Sequence, residues 1–295
     1  MSGPSGLLVI DKPDGLTSHQ VVAAVRRALG TRRVGHAGTL DPMATGVLIV
    51  GVGPATRLLG HLALRDKAYL ATMRLGESTT TDDREGDVIA RADPATVDAL
   101  DEEAVRAALA ALVGDISQVP SSVSAIKVNG KRAYDLARSG VEVELKARRV
   151  TVSRLEPLAW QRPGPGLLDV DVEVECSTGT YVRALARDAG VALGVGGHLT
   201  RLRRTRVGPW GVEEAVPLDR VAEPGHLIGL AEAAGRAFPV VDVAPAEVAD
   251  LRHGRRIAWP QGRDGTIALI GPDGVLVALA ERSADRARTL VVFPE

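Results

Sequence analysis

Cysteine is nearly absent. The 295-residue chain carries one, Cys176, which excludes an internal disulfide and any zinc site built on paired thiolates. The six histidines never fall into the HExxH spacing of a zinc hydrolase. Aromatic residues make up 3%, too few for a protein that reads single-stranded nucleic acid on many stacking platforms. Long apolar runs are missing as well: the most apolar stretch, Thr45 to Leu64, is broken by Pro54, Arg57 and His61 and cannot cross a bilayer as one clean helix. The run Leu7-Leu8-Val9-Ile10 stops at Asp11-Lys12, too short for a secretory core. A cytoplasmic protein with no membrane segment is the expectation. A strong charge of either sign is also lacking, because the formal net charge is −1, which argues against a generic polyanion binder.

What is present is an ordinary globular composition, 45% hydrophobic and 25% charged, on a chain long enough for about two domains. The charges are unevenly spread. Residues 81–103 are strongly acidic, whereas Arg201, Arg203, Arg204 and Arg206 form a run without an acid, and smaller basic patches lie at Arg26-Arg27, Arg32-Arg33 and Lys146 to Arg149. Any one patch is adequately explained as a solvated face. Several, balanced by remote acidic segments, suit a localised phosphate footprint.

The hydrophobic pattern alternates between short strands and helices. Leu7 to Ile10 reads as a buried strand, and Thr17-Ser18 offers an N-cap to a helix with an apolar stripe of Val21, Val25, Ala28 and Leu29. Val47 to Val52 is strand-like, Ala55 to Leu64 helical, Lys67 to Leu75 strand-like and Glu77 to Asp87 polar enough for an exposed loop. An amphipathic helix over Asp101 to Val113, a hairpin at Val128-Asn129-Gly130 and a short helix from Arg132 to Arg138 follow. Leu168, Val170, Val172, Val174 and Cys176 alternate with mostly acidic residues, the period of a half-buried strand, and a helix runs from Gly179 to Leu193. No regular βαβ alternation exists, so a mixed, largely antiparallel α+β sheet with flanking helices is expected. Beyond Phe238, the runs Thr266 to Ile270 and Val275 to Ala280, joined by Gly271-Pro272-Asp273-Gly274, suggest a small β-rich second domain. The expected division is residues 1–236 and 237–295.

The most unusual stretch is Gly35-His36-Ala37-Gly38-Thr39-Leu40-Asp41-Pro42-Met43-Ala44-Thr45-Gly46, with three glycines in twelve residues. Glycine permits positive φ and close backbone approach, and Pro42 biases Asp41 towards an extended conformation. Asp before Pro is also common in ordinary turns, so this segment alone leaves a site and a turn both open. It resembles the catalytic motif of the TruB family of pseudouridine synthases. So do, in family order, Leu8 to Ser18 (LVIDKPDGLTS), Lys67-Ala68-Tyr69 with Arg74-Leu75-Gly76, Pro120 to Lys127 (PSSVSAIK), Cys176 to Arg183 (CSTGTYVR) and Leu202-Arg203-Arg204. The likeness covers roughly residues 6–210, with Thr178 standing where the family often has Lys or Gly.

The resemblance implies isomerisation of a uridine in the T-loop of tRNA, the pseudouridine-55 type, by base flipping. That reaction breaks the C1′–N1 bond and joins C1′ to C5 without net redox change, so it calls for no nicotinamide or flavin, and no metal or nucleotide cofactor is expected. By motif, Asp41 is the essential carboxylate, attacking C1′ or acting on the sugar as a base. Arg183 matches the residue that keeps this carboxylate ionised and oriented. Tyr69 matches the aromatic that stacks on the uracil and takes part in proton transfer at C5. Leu202 and Tyr181 line the same pocket, and His36 fills the space left by the flipped base. Lys12, Lys67 and the Arg201 to Arg206 run are candidate backbone contacts, for a partner recognised by the shape of its T-arm. More loosely, residues 237–295 resemble PUA-like RNA-binding modules, with Leu251 to Ile257 as a basic turn.

Two competing readings carry features of their own. Gly51-Val52-Gly53-Pro54-Ala55-Thr56 follows a strand, as a dinucleotide fingerprint does, but the third glycine is replaced and no acidic residue closes a second strand at the distance ribose recognition asks. An RNA-binding, tRNA-folding protein without turnover is the other alternative. An intact Asp41, Tyr69 and Arg183 favours the enzyme.

Overall fold

The first helix shows how local sequence sets the architecture. Thr17 caps it with a reciprocal pair of hydrogen bonds, Gln20 N donating to Thr17 Oγ1 at 3.2 Å and Thr17 N donating to Gln20 Oε1 at 2.8 Å. Val21, Val22 and Val25 form its buried face, while Ala28, the last helical residue, is exposed. The computed structural model describes residues 3–121, 127–128, 131–132 and 145–293. Its strands are β1 (Gly6–Lys12), β2 (Val34–Ala37), β3 (Thr45–Val52), β4 (Lys67–Leu75), β5 (Glu77–Thr79), β6 (Val88–Arg91), β7 (Gly114–Gln118), β8 (Lys127–Val128), β9 (Lys131–Arg132), β10 (Arg148–Gly164), β11 (Leu167–Cys176), β12 (Gly197–Val207), β13 (Trp210–Gly211), β14 (Val216–Pro217), β15 (Val240–Asp242), β16 (Ile267–Ile270), β17 (Leu276–Ser283) and β18 (Arg286–Val292). The helices are α1 (Ser18–Ala28), α2 (Leu59–Leu62), α3 (Pro94–Asp98), α4 (Glu102–Ala110), α5 (Val182–Ala192), α6 (Leu230–Ala237) and α7 (Pro245–Arg252). Among the described residues no helix is long and apolar enough to cross a membrane.

The chain divides into two compact units. Met1–Pro42, Gly46–Leu64 and Val207–Glu295 form the first, and Met43–Thr45 with Arg65–Arg206 the second. In the first, β1 lies between β14, parallel, and β3, antiparallel, and β2 pairs with β3. The segment beyond residue 237 makes its own sheet in the order β15-β16-β17-β18, with β15 parallel to β16 and the rest antiparallel. This mixed, largely antiparallel α+β architecture is the one expected. The C-terminal sheet does not bury its faces alone, however. Ala268, Ile270, Leu276, Leu279 and Phe293 share one core cluster with Leu7, Val9, Ile49 and Leu58. A chain ending at Arg236 would leave those N-terminal side chains facing water, at about 1.5–3 kcal/mol for each fully uncovered aliphatic residue. Such a truncation is expected to lose the cooperative thermal transition of the first unit; a wild-type melting curve for it would contradict the shared core.

In the second unit the strand order is β12-β4-β11-β10-β7. Strand β11 shows the expected alternation: Leu168, Val170, Val172, Val174 and Cys176 point into the core. Its outward acids are all met from other strands of the same sheet. Arg74 Nε lies 2.7 Å from Asp169, Thr72 Oγ1 donates to Asp171 at 2.5 Å, Arg154 pairs with Glu173 at 3.1 Å and Arg206 with Glu175 at 2.9 Å. The contacts with the adjacent strands β4 and β10 support the register. The hairpin expected at Val128 to Gly130 is present as β8 and β9, with Val128 opposite Lys131. The helix expected over Arg132 to Arg138 lies outside the described residues. Two elements differ from expectation. Ala55 to Leu64 is a 3₁₀ turn over Gly53–Arg57, opened by Pro54, followed by the short α2. Glu77 to Asp87 is no exposed loop: Glu77, Thr79 and Asp83 are buried.

Candidate active site

Asp41 sits on a loop whose flanking residues are anchored by groups of the first unit. Ser18 Oγ, buried on the first turn of α1, accepts from Leu40 N at 2.9 Å and donates to Leu40 O at 3.1 Å. On the other side of Asp41, Pro42 O accepts from Gly15 N at 2.9 Å and from Lys12 Nζ at 3.1 Å. The residues flanking the carboxylate are thus pinned through their backbones, while Asp41 itself stays half-buried. Gly38 and Gly46 adopt φ of +86° and +96° on either side, a region that side-chain-bearing residues rarely enter. His36 lies on β2, half-buried, with its ring 5.4 Å from that of His19 in an edge-to-face arrangement.

The other expected site residues belong to the second unit. Tyr69 is on β4 opposite Val174, only 7% exposed. Lys67, two residues earlier, shares that face, since successive side chains of a strand alternate, and stands opposite Cys176. Leu202 is buried on β12, the strand beside β4. Tyr181 is the N-cap residue of α5, and its side chain caps nothing. Instead the Gln118 amide, 2% exposed, bonds its backbone both ways: Tyr181 N donates to Gln118 Oε1 at 2.8 Å and Gln118 Nε2 donates to Tyr181 O at 3.1 Å. This pair anchors the start of α5.

Arg183, in the first turn of α5, makes a buried ion pair with Asp83, Nη1 to Oδ2 at 3.0 Å, and donates to Thr81 O at 2.7 Å. Asp83 accepts in turn from Thr81 Oγ1 at 2.6 Å and Glu85 N at 3.0 Å. Burying two charges is costly unless both are hydrogen-bonded, as here, and removing one partner costs about 3–5 kcal/mol.

Residues 26–182 match the family model described as TruB family pseudouridylate synthase (N terminal domain). Residues 183–228 match the tRNA pseudouridylate synthase B C-terminal domain, and residues 238–294 the tRNA Pseudouridine synthase II, C terminal. A Mycobacterium protein (strain KMS) named tRNA pseudouridine synthase B is 57% identical over 98% of this chain and 96% of its own. The chain belongs to the TruB family of pseudouridine synthases. A Thermobifida fusca relative of the same name is 56% identical, over 98% of both chains. Among solved structures, a Cbf5-Nop10-Gar1 complex contains a chain similar to this synthase at TM-score 0.72 and 28% identity, covering 98% of this chain and 85% of that one. An H/ACA RNP bound to a substrate RNA containing 2′-deoxyuridine contains another, at TM-score 0.71 and 27% identity over 98% and 85%.

Two cations of the synthase are not placed as a phosphate contact requires. Lys12 is fully buried, its ammonium among the carbonyls of Pro13, Leu16 and Pro42 at 2.8, 2.5 and 3.1 Å. With three donors on an ammonium, it ties the segment after β1 to the backbone of Pro42. Lys67 is 7% exposed and donates to Arg65 O at 2.7 Å. The run Arg201 to Arg206 is likewise divided. Arg204 is buried, Arg206 pairs with Glu175, Arg203 donates to Thr45 Oγ1 at 3.4 Å and Arg201 is exposed. Sequence reasoning gave no part to Asp83 or Gln118, and placed Ser18 in a helix cap and the opening motif without its bonds to Leu40. Asp83 was hidden in an acidic stretch that looks solvated, and only the neighbouring threonines hinted at a turn.

Burial, with the nearby Arg204 guanidinium, pushes the Lys67 ammonium down to about 8, and burial pushes the Cys176 thiol up to about 11. An unfolded chain keeps the Lys67 proton up to about 10.5, so the unfolded state binds more protons and stability rises with pH above about 8. Cys176 acts in the opposite sense only above 9.0, where its unfolded thiol begins to ionise and the folded one does not. Between pH 8 and 9 the wild-type urea midpoint is therefore expected to rise relative to that of Lys67→Met. Parallel curves for the two proteins would contradict a buried, destabilised ammonium.

Proposed function

We propose that the synthase isomerises uridine to pseudouridine in the T-loop of tRNA, with Asp41 as the essential carboxylate. The observation that carries the tRNA assignment is the match, at 57% identity over nearly the whole of both chains, to a protein named tRNA pseudouridine synthase B. Support for Asp41 comes from its motif and from a loop pinned on both sides of it. A carboxylate fixed in this way attacks C1′, or takes a sugar proton, while stabilising the positive charge that develops as the C1′–N1 bond breaks. Arg183 keeps the carboxylate ionised. Tyr69 stacks on the uracil and serves the proton transfer at C5. Leu202 and Tyr181 line the base pocket, and His36 fills the vacancy left in the RNA stack. Residues 237–295 act as a PUA-like RNA-binding module through the exposed basic residues Arg252, His253, Arg255 and Arg256 at the end of α7.

The test uses the full chain and an unmodified tRNA transcript carrying tritium at C5 of its uridines. Joining C1′ to C5 displaces the hydrogen there, so tritium is released as pseudouridine forms. Release is expected from the folded transcript and from one with every other arm altered, and not from one whose T-arm cannot fold. Equal release from all three would remove the T-arm from the reading.

A further inference from the structure

Arg183 is not the only arginine of α5 that reaches the turn between β5 and β6. Arg187 follows it by one helical turn, on the same face, and is a quarter exposed. Its Nη1 lies 3.1 Å from Asp82 Oδ2, and its Nη2 donates to Val119 O at 2.7 Å. Its Nε donates to Asp188 Oδ1 at 2.9 Å, which orients the guanidinium from behind. Arg187 therefore ties three elements together: α5, the β5–β6 turn and the residue just after β7. The turn needs such a tie. Asp82 has φ +59°, a left-handed conformation that residues with a side chain adopt only in a few places, mostly where the surroundings hold them there. The next residue is Asp83, the partner of Arg183.

We propose that Arg187 is a positioning residue for the isomerisation. By holding the Asp82 carboxylate and Val119 O, it keeps the turn in the conformation that presents Asp83 to Arg183, and so fixes the guanidinium of Arg183. The inference rests on the reading that Arg183 serves the reaction. Arg187 itself touches no reacting atom. Its fork can bond two acceptors at once in a fixed plane, which a lysine at the same place cannot do. Loss of the tie lets Arg183 drift, and misplacement by about an ångström costs up to roughly a hundredfold in rate.

The experiment measures single-turnover pseudouridine formation at saturating tRNA, tRNA affinity and melting temperature for Arg187→Gln, Asp82→Gly and their double variant. Glycine at 82 accepts the left-handed φ, so Asp82→Gly removes the carboxylate without adding backbone strain. Each single variant is expected to slow the chemical step roughly tenfold to a hundredfold with affinity within about twofold, the double variant no further than the slower single one, and Arg187→Lys to recover part of the loss. Losses that multiply in the double variant, or a wild-type rate for a folded Arg187→Gln, would overturn the proposal. If the glutamine variant does not fold, a folded Arg187→Lys at the wild-type rate does the same. Arg183→Lys is run beside them. If it turns over normally, the reading beneath the inference has failed; if it is inactive while Arg187→Gln is normal, only the tie has.

Discussion

Asp41→Asn forms no detectable pseudouridine, a loss of at least about 10⁴-fold in single-turnover rate, and binds tRNA within a few-fold of the wild type. The amide has nearly the shape of the carboxylate but is neither a nucleophile for C1′ nor a base for a sugar proton, and it places no negative charge beside the positive charge that develops there. Binding survives because the loop is anchored through the backbones of Leu40 and Pro42 by Ser18, Gly15 and Lys12, none of which the substitution touches. The two quantities are measured separately, by a quenched single-turnover reaction and by filter binding. Turnover comparable to the wild type would sink the assignment of Asp41. Loss of binding and turnover together would make the carboxylate part of the loop's scaffold instead.

Tyr69 carries the second large effect, split between two variants. Tyr69→Phe keeps the ring and loses the hydroxyl, so affinity is retained and the chemical step slows by about 10²- to 10⁴-fold, the usual contribution of a positioned acid or base. Tyr69→Leu loses the face as well, and base capture weakens by the stacking energy of about 1–3 kcal/mol on top of the slower chemistry. Tyr69 is opposite Val174, with the buried Ala71 and Val172 following on the same face, so both variants keep an apolar side chain there and fold. Near-wild-type rates for both would return Tyr69 to a packing role.

Much of this arrangement was legible in the residues. The period-two pattern of β11, the Thr17 cap and the hairpin around Gly271 to Gly274 each rest on one local rule, and each local rule holds in the fold. What the pattern could not show is how distant segments satisfy one another. Lys12 and Lys67 look like surface cations because lysines usually are, yet both are buried, Lys12 among three carbonyl oxygens and Lys67 against that of Arg65. Asp82 and Asp83 look like part of a solvated acidic run because their arginine partners come about a hundred residues later. Gln118 carries no signal at all until β7 is placed beside the start of α5. The C-terminal strands were readable as a sheet, but their share in a core with β1 and β3 depends on which faces are left uncovered, and no periodicity records that.

The central claim, a uridine of the tRNA T-loop isomerised by this chain, is tested most directly by mapping where the product forms. Unmodified tRNA transcript is incubated with the full chain to completion and pseudouridine is located by chemical derivatisation and primer extension. The account predicts one modified position, in the T-loop, filled to near one equivalent and absent with Asp41→Asn. Modification confined to another arm, or tight binding with no product at any position, would contradict it.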